Sequence, residues 1–137
     1  MPISDQHKAG VAFIDGEYQP INQARIPILD WGFLRSDANQ DTISVWDGLF
    51  FRLDDHLDRF ERNVAKLRMT CPYSRNQIHS IMNECVCRTG LKDAYVQIIM
   101  TRGVPPLGIR DPRRCKNQFY AFCIPYVWIA TPQQQDK

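Results

Sequence analysis

Residues 26–58 read IPILDWGFLRSDANQDTISVWDGLFFRLDDHLD, with Arg59 directly after. Within this stretch the pattern passes from loop to hairpin to helix, and the fold follows from that succession. Thr42 to Trp46 (TISVW) reads as a strand, since β-branched and aromatic residues suit a pleated, half-buried surface. Asp47-Gly48 is a tight-turn pair, and Leu49 to Leu53 forms the return strand. Asp54 or Asp55 then caps a helix, because a short carboxylate accepts from the free amides of a first turn. Leu57, Phe60, Val64 and Leu67 recur at helical spacing and share one face. Cys71-Pro72 ends that helix. Upstream, residues 22–41 hold Pro27, Gly32 and several polar residues and read as an ordered loop with a short turn. A loop of this length inside a compact domain is either functional or a misassigned element. Its apolar side chains (Ile26, Ile28, Leu29, Trp31, Phe33, Leu34) predict that it packs against something.

Working toward the N-terminus, residues 11–14 and 17–21 flank Asp15-Gly16, a second hairpin signal. Pro20 belongs at an edge or a strand end, because it has no amide to give to a ladder. Toward the C-terminus, Ser74-Arg75-Asn76-Gln77 fits a capping box. Ile78, Ile81, Met82 and Cys85 form the stripe of that second helix, and Gly90 suits its C-terminal cap. Ala94 to Thr101 is a strand. Arg102 to Lys116 is a loop rich in Pro, Gly and Arg. Phe119 to Ile129 is a last strand interrupted by Pro125. Strands, two helices, then strands predict an α+β domain: a small twisted, mainly antiparallel sheet with two helices on one face. The expected organisation is one domain over 1–130 and a polar tail or interdomain linker over 131–137.

The chain has 137 residues, enough to bury roughly 65–70% of its unfolded surface. Its charge is +2 with bases and acids intermixed, which argues against a nucleic-acid-binding face. No stretch approaches the roughly 18 apolar residues of a membrane span. The polar start MPISDQHKAG lacks a signal-peptide core, so a cytoplasmic protein is expected. Five cysteines (Cys71, Cys85, Cys87, Cys115, Cys123) are an odd count and read as reduced packing thiols, with no metal-ligand spacing among them.

Two arginine constellations can carry chemistry. Arg59 lies in the first turns of its helix, where free amides and the helix dipole favour an anion, and its planar fork suits phosphate oxygens. The competing reading is a surface arginine paired with Asp54 or Asp55. Arg102-Gly103 and Arg110 sit in a loop stiffened by Pro105 and Pro106, from which Arg110 can clamp a carboxylate bidentately. The competing reading there is a solvated basic loop with Arg113 and Arg114. Arg35 is expected to pair with Asp37 or Asp41.

With these residues in view, the chain from Gly10 through Trp128 resembles the N-terminal small domain of the class IV (fold type IV) pyridoxal-phosphate-dependent aminotransferases, most closely their fungal (R)-amine and branched-chain-like branch. His56-Leu57-Asp58-Arg59 matches the family's H-x-x-R, which implies that Arg59 contacts the phosphate of pyridoxal 5'-phosphate. The resemblance implies that Arg110 is the loop arginine that binds a substrate carboxylate, often across a dimer. It implies that Phe33 to Thr42 lines the substrate pocket, with Phe33 and Gln40 as lining residues. Gln40 stands where relatives commonly carry an aromatic residue after the S-D-A of Ser36-Asp37-Ala38, and an amide there changes the pocket's polarity.

The lysine that transamination requires belongs to the family's second domain, so no catalytic residue is assigned among Lys8, Lys66, Lys92, Lys116 and Lys137. The implied function is amino-group transfer between an amine or amino acid and a keto acid, with a role in secondary metabolism suggested by the fungal branch, by a chain that is inactive alone. The implied partners are the small-molecule substrate and either a second copy or a full-length relative. A non-catalytic binding partner of such a relative, and an inactive relict, are the alternative readings.

Overall fold

The computed structural model describes residues 7–126 and residue 133. Six strands, β1 (Val11–Ile14), β2 (Glu17–Pro20), β3 (Ala38–Trp46), β4 (Leu49–Phe50), β5 (Ala94–Thr101) and β6 (Gln118–Pro125), form one sheet in the order β2-β1-β6-β5-β3-β4. Every pairing is antiparallel. The helices are α1 (Trp31–Leu34), α2 (Leu53–Lys66) and α3 (Arg75–Thr89). Alternation along the strands sends one set of side chains to each face. Phe13, Ile43, Val45, Val96, Ile98, Met100, Phe119, Ala121 and Cys123 go to the face covered by α2 and α3. There they meet Leu57, Phe60, Val64, Ile78, Ile81, Met82 and Cys85 in one buried core. The expected α+β layout with two helices on one face is what the chain adopts.

Local chemistry explains most boundaries. Both Asp-Gly turns take positive φ at each residue (Asp15 53°, Gly16 77°; Asp47 51°, Gly48 78°), the geometry that matches strand twist in two-residue hairpins. Ser74 and Gln77 form the reciprocal capping box, and Gly90 closes α3 at φ 68°. Pro20 ends the edge strand β2.

Four boundaries differ from expectation. β3 begins at Ala38, because its partner β5 is long enough to pair Ala38 to Thr101 through Val45 to Ala94, and a polar ANQD segment is carried into the ladder. β4 ends at Phe50. α2 has no aspartate cap. Its N-cap is Arg52 in the left-handed region with no side-chain capping bond, and Asp54 and Asp55 lie inside the first turn, where they complement the helix dipole. The helix stops at Lys66, well before Pro72, as Arg68 turns to φ 57°. The part of the last strand expected over 127–129, and the tail 131–137 apart from residue 133, lie outside the described residues.

The other sheet face carries no long helix among the described residues. Residues 21–34 run across it, fixed by Asp30. This carboxylate is fully buried. It accepts from the Gly32 amide at 2.8 Å, the Thr101 hydroxyl at 2.8 Å and the Tyr120 hydroxyl at 2.7 Å. The expected packing of the 22–41 loop is therefore partly met, since Trp31 is buried while Ile28, Leu29, Phe33 and Leu34 stay exposed.

Candidate functional site

Strand parity places Asp41 with Ile43 and Val45 on the helix-covered face, directly beneath α2. Its side chain is 2% exposed. A buried carboxylate costs heavily unless it is paired, and this one accepts three N–H groups. Arg59 donates from Nε to Oδ2 and from Nη2 to Oδ1, both at 2.8 Å. His56 Nδ1 lies 2.7 Å from Oδ1. An ionised carboxylate only accepts, so this contact puts the imidazole proton on Nδ1. Burial works to raise the Asp41 carboxyl, but the hydrogen bonds from Arg59 and His56 outweigh it and hold the group below its ordinary value.

The side-on pairing determines what Arg59 offers. Nε and the near side of Nη2 are taken by Asp41. The outer edge, formed by Nη1 and the far side of Nη2, faces away from it, and the side chain is 55% exposed. A groove of about 530 Å³ runs along this face of α2, lined by Phe51, Arg52, Asp55, His56, Asp58, Arg59 and Arg62. Arg59 is the seventh residue of α2, about 9 Å along the axis from Leu53. The free amides of the first turn therefore do not reach it, contrary to the sequence expectation, and its anion affinity has to come from the guanidinium. The expected pairing alternative is also corrected. Asp55 pairs with Arg52 at 2.8 Å, and Asp54 lies 3.4 Å from Arg75.

Arg102 is a structural tie. It grips Asp37 through Nε at 2.8 Å and donates from Nη2 to the Leu67 carbonyl at 2.7 Å, capping the end of α2. Arg35 stacks on Trp31 with its guanidinium carbon 3.8 Å from the ring centre, and pairs with neither Asp37 nor Asp41. In the 102–116 loop, Arg113 holds Asp111, whose carboxyl its hydrogen bonds bring to about 2. Arg110 is exposed on that loop and lines neither the Arg59 groove nor the apolar groove described next.

Gln40 and Phe33 belong to the opposite sheet face from Asp41. Phe33 lines an apolar groove of about 360 Å³ with Ile14, Ile26, Ala38, Ile99 and Phe122. Gln40 stands opposite Ile99 in the ladder, and accepts from the Thr42 hydroxyl at 3.2 Å. The structure thus brings Phe33 and Gln40 to one face and keeps Arg59 on the other side of β3. The strand joins the two sides. Among the described residues, 38–43 of β3 pair only with β5, so the outer edge of β3 is open between Gln40 and the Arg59 groove.

The family model for amino-transferase class IV matches residues 40–136, most of the chain. The chain belongs to the class IV aminotransferases. Among class IV relatives, a protein of Methanocaldococcus jannaschii assigned as a branched-chain-amino-acid aminotransferase is 30% identical over 114 residues, covering 82% of this chain and 39% of the relative. The D-alanine aminotransferase of Staphylococcus haemolyticus is 27% identical over 94 residues, covering 69% and 33%. Solved structures share the fold. A thermophilic archaeal branched-chain aminotransferase, that of Thermoproteus uzoniensis with norvaline, gives a TM-score of 0.73 at 22% identity, covering 85% of this chain and 41% of that one. The Escherichia coli branched-chain enzyme gives 0.80 at 14% identity, covering 90% and 42%. This class IV chain spans about two fifths of the length of the proteins it matches, or less.

Sequence reading missed Asp41 as a site residue, considering it only as a partner for Arg35. The signal was available, because Asp41 has the core-facing parity of Ile43 and Val45. Arg62 was missed too, although it lies one helical turn after Arg59 on the same face.

Proposed function

We propose that this chain supplies the small-domain half of a pyridoxal-phosphate-dependent amino transfer between an amine or amino acid and a keto acid. The observation that carries the reading is the outer edge of Arg59, presented to an open groove with a buried carboxylate behind it, in a chain of this family. Those residues fit the phosphate end of the cofactor: a planar pair of N–H donors on a half-exposed guanidinium, fixed from behind. When bound, pyridoxal 5'-phosphate supplies the electron sink for moving an amino group. Arg59 holds the phosphate. Gln40 and Phe33 line the substrate side of the open β3 edge, and Arg110 orients a substrate carboxylate.

No lysine of the described residues lines the Arg59 groove. We take the reaction to need a lysine from outside these residues, so that the chain does not transaminate alone. A cytoplasmic setting and a biosynthetic role in secondary metabolism extend this reading by analogy with the resembling fungal branch.

The test uses pyridoxamine 5'-phosphate, which carries the phosphate but cannot condense with surface lysines. Equilibrium dialysis is expected to retain it on the wild-type chain, to retain unphosphorylated pyridoxamine much less, and to lose the difference in Arg59→Ala. Equal retention of both compounds, or an unchanged Arg59→Ala, contradicts the reading.

One observation favours a second reading, a non-catalytic partner of a full-length relative. Ile28 (71% exposed), Leu29 (61%) and Phe33 (64%), close together in the chain, leave apolar surface exposed, Phe33 lines the apolar groove, and exposed apolar surface marks interaction sites. Co-purification with a full-length class IV aminotransferase, together with failure to retain pyridoxamine 5'-phosphate, would select it.

A further inference from the structure

We infer that Asp41 is the positioning residue of the anion site, setting the direction in which Arg59 presents its outer N–H edge. This rests on the phosphate role proposed for Arg59 and assigns the residue that makes that role specific. Three observations support it. Asp41 is held in place by the β3–β5 ladder, where it pairs with Ile98, so its carboxylate has a fixed origin in the sheet. Both its oxygens engage Arg59 side-on at 2.8 Å, the geometry that fixes the guanidinium plane as well as its position. His56, one turn earlier on α2, donates to the same carboxylate at 2.7 Å and holds it from a second direction. A further tie, from Asn39 to the Phe60 carbonyl at 3.5 Å, fastens the same part of β3 to α2.

The arrangement reduces the cost of binding. A free arginine on an exposed helix face samples many rotamers, and an anion must freeze one of them. Here the freezing is done before a ligand arrives, which is where preorganised sites gain affinity. The geometry also leaves one orientation for the incoming group: an oxyanion with at least two acceptor oxygens meeting Nη1 and Nη2 from the groove. A terminal phosphate has that shape.

Charge and positioning predict opposite results for the neutral isostere, which makes the variant informative. Asp41→Asn removes a negative charge close to the anion, and by Coulomb attraction alone that tightens phosphate. It also replaces one accepting oxygen with a donor that cannot receive an Arg59 N–H. If Asp41 positions Arg59, the second effect dominates.

The probe is inorganic phosphate, followed through the Nε–H resonance of Arg59 in the 15N-labelled full chain and identified by its absence in Arg59→Lys. In the wild type this resonance is expected to be slow to exchange with solvent, and phosphate is expected to shift it. Asp41→Asn is expected to bring exchange to the rate of a solvated arginine and to weaken phosphate binding roughly tenfold. In an Arg59→Ala background the same substitution should no longer weaken phosphate binding, since the positioning effect acts only through Arg59 and the charge effect alone remains.

Tighter or equal phosphate binding in Asp41→Asn overturns the inference. If that variant does not fold, fast Nε–H exchange in the wild type overturns it independently. A wild-type Arg59 resonance that is protected but unmoved by phosphate contradicts the anion site itself, and with it this inference. Binding that is intact but indifferent to Asp41 contradicts the inference alone.

Discussion

The Tyr120 hydroxyl donates to Asp30 Oδ2 at 2.7 Å across 90 residues of sequence, and that oxygen also accepts from Thr101 at 2.8 Å. The bond fastens the 21–34 segment to the sheet face opposite α2 and α3, where Phe33 lines the apolar groove. Tyr120→Phe leaves Asp30 buried with two donors in place of three. A loss of about 1–2 kcal/mol is expected in urea unfolding. The core under α2 and α3 is not involved, so phosphate binding at Arg59 should be unchanged.

Gly103 is the glycine of the basic loop whose replacement the backbone forbids. Its φ is 89°, and an added Cβ would collide with the Lys116 carbonyl oxygen. Gly103→Ala should cost about 4 kcal/mol or more, or prevent folding. Gly48, at φ 78° in a turn with open space around it, should lose only about 1–2 kcal/mol as alanine. Thermal melts of the two variants give the comparison directly, and similar losses would contradict it.

These positions also show where sequence and structure part. The Asp-Gly hairpins, the Ser74–Gln77 capping box and the Leu57–Phe60–Val64 stripe are set by neighbours within a turn or two, so their residues declare them. The start of β3 is not local. Ala38–Asp41 carries no apolar alternation, and only pairing with Ile98–Thr101 makes it a strand. The same segment hides the site. Asp41 reads as a polar loop residue until its parity with Ile43 is noticed, and so Arg59, legible as an anion-binding candidate, has only Asp54 and Asp55 of its own helix on offer as partners. The α2 cap is hidden for a related reason, since Arg52 enters the left-handed region in a turn fixed by the short β4 return.

Stability should be flat in mid-range pH and fall at both ends. Asp41 is held below its ordinary value of 3.8, so its contribution is present above about that pH and is lost as pH falls through its folded value. Burial pushes Cys85 up to about 12 and Cys123 to about 11 from 9.0, and raises Tyr120 from 10.0. Their contributions are present below pH 9 to 10 and are lost as pH rises through the folded values. Urea midpoints measured against pH should show both limbs. Asp41→Asn should flatten the acid limb, and Tyr120→Phe should weaken the alkaline one.

The same burial orders the thiols. Cys87 is exposed, while Cys85 and Cys123 are fully buried. Iodoacetamide at about pH 8 should modify Cys87 first and leave Cys85 and Cys123 unmodified until urea unfolds the chain. Early labelling of Cys85, read by peptide mass, would place it outside the core.

The most direct test of the Arg59 site is a crystal structure of the chain with pyridoxamine 5'-phosphate. The phosphate is expected in the α2 groove, with oxygens within hydrogen-bond reach of Arg59 Nη1 and Nη2, while Nε and Nη2 keep their bonds to Asp41. A phosphate bound at the 102–116 loop instead, or an Arg59 side chain swung off Asp41 to reach it, would contradict both the site and the role given to Asp41.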